Sequence, residues 1–236
     1  MRETHPERAR PLLYGRRKGH KLSAHREGLR ATLLPELALH LEHGANPQSY
    51  FSPPPCGGGE NSVDDVWLEV GFGGGEHLLE QARANPHAGL IGAEPYEEGV
   101  AKLLAAIESN PVSNIRIHEG DARDVITALP DSCLGRVFIL FPDPWPKTRH
   151  HKRRFVQMEL LDALARVMKP GAELRFASDD AGYLAWTLER LMAHPAFVWT
   201  AERAEDWKTR PPGWPQTRYE AKALHGPPAY LSFLRI

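Results

Sequence analysis

The stretch Val66-Trp-Leu-Glu69-Val-Gly71-Phe-Gly73-Gly-Gly75-Glu76 decides the fold. A short apolar run ends at a carboxylate, Glu69. Glycines follow at the alternate positions Gly71, Gly73 and Gly75, and a helical pattern opens at Glu76. Together these are a strand, a tight turn and a helix start, the first crossover of a nucleotide-binding α/β sheet. Glycine permits φ > 0 in such a turn and lets a ligand approach with no Cβ in the way.

Two cofactor chemistries use this element. A dinucleotide requires G-x-G-x-x-G, with its pyrophosphate on the helix N-terminus. Counted from Gly71, the third glycine falls on Glu76, whose charge would repel pyrophosphate there. The spacing E-x-G-x-G-x-G instead suits S-adenosylmethionine, which has no phosphate and carries ammonium and sulfonium cations that Glu69 can face. A second acid, Glu94, ends the next apolar run, Leu90 to Ala93. It falls where a class I methyltransferase places the carboxylate that holds the ribose hydroxyls. The plain alternatives are a glycine turn that only packs, and a dehydrogenase binding NAD.

Composition bounds the rest. The chain has 236 residues, enough for one large α/β domain with an appendage, and its 42% hydrophobic and 25% charged content is that of a globular protein. Cys56 and Cys133 cannot build a disulfide framework, and the twelve histidines show no metal-binding spacing. The N-terminus lacks the apolar core of a signal peptide, and no apolar run reaches membrane-spanning length, so a cytoplasmic protein with no membrane contact is expected. Net charge is only −1, but basic residues are concentrated. Residues 1–30 hold nine Lys/Arg against three Glu, and Trp145 to Arg154 hold five Lys/Arg and no acid.

The pattern divides into a flexible basic arm over residues 1–24, a helix and Pro/Gly-rich loop over 25–62, and a catalytic domain over 63–236. His25 to Glu42 reads as one helix, with Leu29, Leu33, Leu37 and Leu41 at four-residue spacing. Beyond the glycine turn, strands are expected at Leu90–Ala93, Ile115–His118, Val137–Phe141 and Glu173–Ala177, and helices at 76–84, 97–108, 155–168 and 183–192. Two closing strands follow at 196–200 and 229–236. The third strand ends near Asp121, which would face adenine or else cap the next helix. The fourth stops at Pro142-Asp143-Pro144-Trp145-Pro146-Lys147, where three prolines fix the backbone extended and hold an acid at the C-terminal end of a central strand. Open α/β sheets bind their ligands there.

Four segments now converge. E-V-G-F-G-G-G-E, I-G-A-E-P, F-P-D-P-W-P-K-x-R-H-x-K-R-R and T-R-Y-E together resemble the bacterial tRNA (guanine-N7-)-methyltransferases over about residues 60–236. The resemblance implies a Rossmann-like class I methyltransferase fold, with a mostly parallel seven-stranded sheet, helices on both faces and an antiparallel C-terminal strand pair. It implies methyl transfer from S-adenosylmethionine to N7 of the guanosine at position 46 of the tRNA variable loop, with no metal, by a monomer or homodimer. Carried over position by position, Glu69, Gly71, Gly73, Glu94, Asp121 and Asp143 would hold the cofactor, with Asp143 also the catalytic residue. Lys147, Asp179, Thr217, Arg218, Tyr219 and Glu220 would meet the substrate. Arg149, His150, His151, Lys152, Arg153 and Arg154 would bind RNA. The first 60 residues diverge more from the family, and the P-P-P-C-G-G-G stretch has no counterpart in it.

The chemistry fits these residue types. Guanine N7 carries an unprotonated lone pair at neutral pH, so Asp143 is expected to position the base rather than abstract a proton. Asp179 and Glu220 suit the N1–H and N2 amino edge of guanine, although Asp179 also suits a helix N-cap. Trp145 can stack on a base or pack beneath its loop. Two other readings stay open: methylation of an exocyclic amine, since D-P-W is near the D/N-P-P-[YFW] pattern, and a non-catalytic RNA-binding protein on the same fold.

Overall fold

The computed structural model of the protein describes residues 17–19, 21–51, 63–216, 220–221 and 226–236. Most of the basic arm, the P-P-P-C-G-G-G stretch with Cys56, and the substrate candidates Thr217, Arg218 and Tyr219 lie outside the described residues.

The sheet has seven strands: β1 (Asp65–Val70), β2 (Ala88–Ala93), β3 (Ile115–His118), β4 (Leu134–Leu140), β5 (Met168–Ser178), β6 (Phe197–Trp199) and β7 (Ala229–Arg235). Their order is β3-β2-β1-β4-β5-β7-β6. The first five pair in parallel, and β7 lies antiparallel to β5 and β6. The chain reverses its strand order at β1 and β4, so the ends of these two neighbours open the crevice in which such sheets bind ligands. The expected architecture is the observed one.

The central strands read apolar because they are covered on both faces. On one face Leu68, Val70, Val137, Ile139 and Phe176 pack under α5 (Ala122–Ala128), α6 (Met158–Val167) and α7 (Ala181–Ala193). On the other, Trp67, Leu90 and Phe138 pack with Leu78, Leu103 and Leu104 of α3 (Glu76–Ala84) and α4 (Glu97–Ser109). The α1 helix (Ala24–Thr32) lies against α4 and buries Leu29 in that second core.

The single helix expected over His25–Glu42 is two pieces. It breaks at Leu33, restarts as the one-turn α2 (Leu34–Leu37), and is extended by Ala38. Pro35 lacks the amide an uninterrupted helix would need. The chain then runs beside β3, where Leu39 N donates to Ile117 O at 2.8 Å and covers that edge. Two other boundaries shift. The α6 helix starts at Met158 because its N-cap Gln157 is extended, and β5 begins at Met168, with a register shift that accommodates Pro170. A short α8 (Glu205–Lys208) precedes the final strand.

Candidate active site

The turn after β1 is built from left-handed glycines. Gly71 has φ 67°, Gly73 φ 57° and Gly75 φ 80°, and Gly75 is the N-cap of α3. A side chain at any of them would impose the strain of φ > 0. Gly71 donates to Ala93 O at 2.8 Å, which ties the turn to the end of β2. A Cβ at Gly71 would meet open space, so this backbone borders a cavity rather than packed protein.

That cavity, about 420 Å³, is lined on one side by Gly71, Gly73, Glu94 and Tyr96, and on the other by Asp121, Pro142, Asp143 and Trp145. Glu94 joins the two strand ends. It is 7% exposed, and its carboxylate accepts from Gly73 N at 2.7 Å and Tyr96 N at 2.9 Å. Burial raises its pKa, against the lowering effect of those two amides, and the charges of Asp143 and Glu69 push the same way. Asp121 both caps α5, accepting from Arg123 N at 2.9 Å, and lines the cavity. The capping and ligand-facing alternatives are therefore compatible.

Asp143 lies on the mouth of the same cavity, with solvent-accessible surface. Desolvation by the surrounding protein still raises its pKa. Its loop is strained on both sides: Phe141 has φ 49° and Trp145 φ 44°. Non-glycine residues held there cost about 1–3 kcal/mol each and persist where the surroundings over-determine them. Here the surroundings are Phe141 N donating to Ala177 O at 2.7 Å, and Arg154 Nε donating to Pro144 O at 2.9 Å.

Three placements depart from the sequence reading. Glu69 is not on the cavity wall. It is 3% exposed, and its Oε2 lies 2.7 Å from His77 Nδ1 in the core behind the turn. The even positions of β1 face the α5–α7 core, so Glu69, at an odd position, points the other way, under α3. Arg154 is not a phosphate contact. It is 2% exposed, donates to the Pro144 and Gly182 carbonyls, and stacks over Tyr183 and Trp186 at about 5 Å. It is the pin that holds the proline loop to α7. Glu220 is 5% exposed, with Oε1 accepting from Arg210 Nε and Tyr230 Oη, both at 2.6 Å, so it anchors its own loop instead of presenting an open carboxylate.

Of the remaining candidates among the described residues, only Arg153 lines the cavity; Lys147, Arg149, His150, His151, Lys152 and Asp179 do not. Asp180, not Asp179, caps α7 by accepting from Tyr183 N at 2.7 Å. The basic run forms a 3₁₀ helix, Thr148–Arg153, in which Lys147, Arg149 and Lys152 are exposed. His151 is set edge-on to Trp186. Desolvation first, and then the neighbouring cations, hold His150 below the ordinary histidine pKa. The Arg153 guanidinium lies 4.9 Å over the Trp145 ring, and both line the cavity. His77 and Trp214 escaped the sequence reading. The histidine directly after Glu76 was the available signal, but its partner, Trp214, is distant in sequence.

Fold and crevice together define a class I, Rossmann-like methyltransferase, and comparison with known proteins agrees. Residues 64–229 match a family described as "Putative methyltransferase". The solved 16S rRNA methyltransferase KamB aligns with a TM-score of 0.51 at 18% identity, covering 74% of this chain and 89% of that one. A curated relative from Rhodospirillum rubrum, named tRNA (guanine-N(7)-)-methyltransferase, is 52% identical over 94% of this chain and 87% of its own. One of the same name from a Chelativorans species is 45% identical over the full length of both. The chain belongs to the tRNA (guanine-N7-)-methyltransferase family, whose chemistry depends on S-adenosylmethionine. Among the described residues no helix is long and apolar enough to cross a membrane, and no three His, Cys, Asp or Glu side chains are grouped to hold a metal ion.

Proposed function

We propose that this protein methylates N7 of the guanosine at position 46 in the tRNA variable loop, using S-adenosylmethionine bound in the cavity between the glycine turn and the proline loop. The observation that carries the reading is the joining of Gly71, Gly73, Glu94, Asp121 and Asp143 around one open crevice. The residues fit the cofactor. The bare Gly71 backbone leaves room for it, and carboxylates supply acceptors for hydroxyls and an amine without a phosphate-binding group. When bound, it supplies a methyl group already activated on a sulfonium.

The protein's own task is then alignment. Asp143, held by the strained loop, positions the guanine ring and faces the positive charge that develops as N7 is alkylated. N7 carries no proton at neutral pH, so no base is required. Trp145 and Arg153 border the entry, and Lys147, Arg149 and Lys152 face the RNA backbone as exposed cations. Titration with S-adenosylmethionine, followed by methyl transfer to unmodified tRNA and mass-spectrometric mapping, tests the reading. Absence of binding, or methylation of an exocyclic amine, would overturn it.

A further inference from the structure

A chain of buried and half-buried side chains, none of it on the cavity wall, runs from the glycine turn to Glu220, the last residue of T-R-Y-E. It starts at Glu69, the acid at the head of the turn. His77, on the first turn of α3, meets that carboxylate through Nδ1, and its Nε2 is buried with no hydrogen-bond partner. The imidazole is enclosed by rings instead. Phe138 of β4 lies 4.7 Å away and Trp214 4.9 Å away, both edge-on. Trp214 comes from the 209–216 segment. It packs edge-on to Tyr230 of β7 at 6.0 Å and under the Arg175 guanidinium at 5.4 Å. The Tyr230 hydroxyl then donates to Glu220, which Arg210 also holds.

Trp214 and Glu220 therefore both meet Tyr230, one on its ring and one on its hydroxyl. Only the Trp214 anchor reaches back to the turn. The contact joins two elements that share no sheet pairing, α3 and the loop before β7. It places an aromatic ring against a histidine that meets Glu69 through Nδ1 and whose Nε2 has no hydrogen-bond partner.

We propose that the His77–Trp214 contact is the latch through which cofactor and tRNA sites are coupled. Seating Trp214 on His77 fixes the 209–216 segment on the RNA side and at the same time fixes Glu69 and the glycine turn for the cofactor. His77 and Trp214 are positioning residues in this scheme. The inference rests on the functional reading above, because it takes the glycine turn as the cofactor site and the T-R-Y-E segment as the RNA side. Linkage requires the coupling to be reciprocal: each ligand tightens the other by the same factor. A contiguous set of contacts does not by itself establish coupling; a double-mutant cycle does.

The test uses sinefungin, a non-transferable amine analogue of S-adenosylmethionine, titrated calorimetrically into the full-length protein with and without saturating unmodified tRNA. The measured quantity is the ratio of the two dissociation constants. The wild type is expected to bind the analogue about fivefold or more tighter with tRNA present. In Trp214→Ala and His77→Gln that ratio should fall to near one, and the double variant should be no lower than either single. Gln keeps a donor for Glu69 while removing the ring. Trp214→Phe, which keeps a ring edge, should retain most of the ratio. A wild-type ratio of one, or variants that weaken both titrations equally and keep the wild-type ratio, would overturn the proposal and leave the cluster a packing feature. Failure of the wild type to bind the analogue at all would instead sink the functional reading.

Discussion

In the proposed function Asp143 aligns the base, and its position explains why an aspartate there need not act as a base. It is carried by a loop whose φ angles at Phe141 and Trp145 are both left-handed. That placement resists thermal wandering of the carboxylate, which serves alignment more than proton transfer. Replacing Asp143 with Asn should lower kcat roughly 100-fold, the scale of losing one preorganised electrostatic partner, with little change in cofactor affinity, and should remove the acid limb that protonation of this carboxylate gives the wild-type pH–rate profile. An unchanged kcat would take Asp143 out of the alignment. Glu94 has its own pH signature. Burial raises its pKa in the folded protein, so its contribution to folding is full below the ordinary carboxylate value and is lost as pH rises through the raised one. Wild type should therefore lose stability relative to Glu94→Gln as pH climbs from the ordinary carboxylate range toward neutrality, read from melting temperatures across that range. Cofactor affinity should run the opposite way, weakening on acidification at a pH where an ordinary carboxylate is still ionised.

At the scale of elements, the glycine turn depends on α4 as much as on its own glycines. A Cβ at Gly99 of α4 would lie 2.3 Å from the Gly73 carbonyl oxygen. Gly99→Ala must therefore push helix and turn apart, at about 1–3 kcal/mol. Affinity for S-adenosylmethionine should drop by roughly tenfold, since about 1.4 kcal/mol corresponds to that factor, while the fold survives by circular dichroism. The basic run separates into two kinds of cation. Arg154→Ala removes a buried guanidinium from two carbonyls and should cost about 2–3 kcal/mol, seen as a melting temperature lower by roughly 5–10 °C. Neutralising Arg149 and Lys152 should leave the melting temperature alone and reduce the salt slope of tRNA binding by ~0.7–0.9 per lost phosphate contact. The sequence could not make this separation. A run of like charges carries no mark of which member turns inward, and the Pro144 and Gly182 carbonyls that claim Arg154 come together only in the fold. The same limit hid the partner of Glu69. Its place before the glycines was plain, but strand parity sends its side chain under α3 toward His77.

For the molecule as a whole, the architecture was legible because Leu90–Ala93 and Val137–Phe141 are unbroken apolar runs that stop at an acid or a proline turn, and the helices between the strands carry apolar stripes. Glu76–Ala84 and Ile115–His118 were readable to the residue. Pro35 was the signal passed over when residues 25–42 were read as one helix. The crevice was legible too, in that Gly71, Gly73, Glu94, Asp121 and Asp143 were all named from strand-end position or family resemblance and all border it. What pattern could not supply was the joint between the two halves of the site, since Trp214 and His77 are neighbours only after β7 has paired with β5. The central claim is that this crevice delivers a methyl group to a purine ring nitrogen. The most direct measurement is incubation of the purified protein with labelled S-adenosylmethionine and unmodified tRNA, followed by nucleoside mass spectrometry and position mapping. The account predicts 7-methylguanosine at position 46 and a loss of at least most of it with Asp143→Asn; label on an exocyclic amine, or no transfer by the wild type, would contradict it.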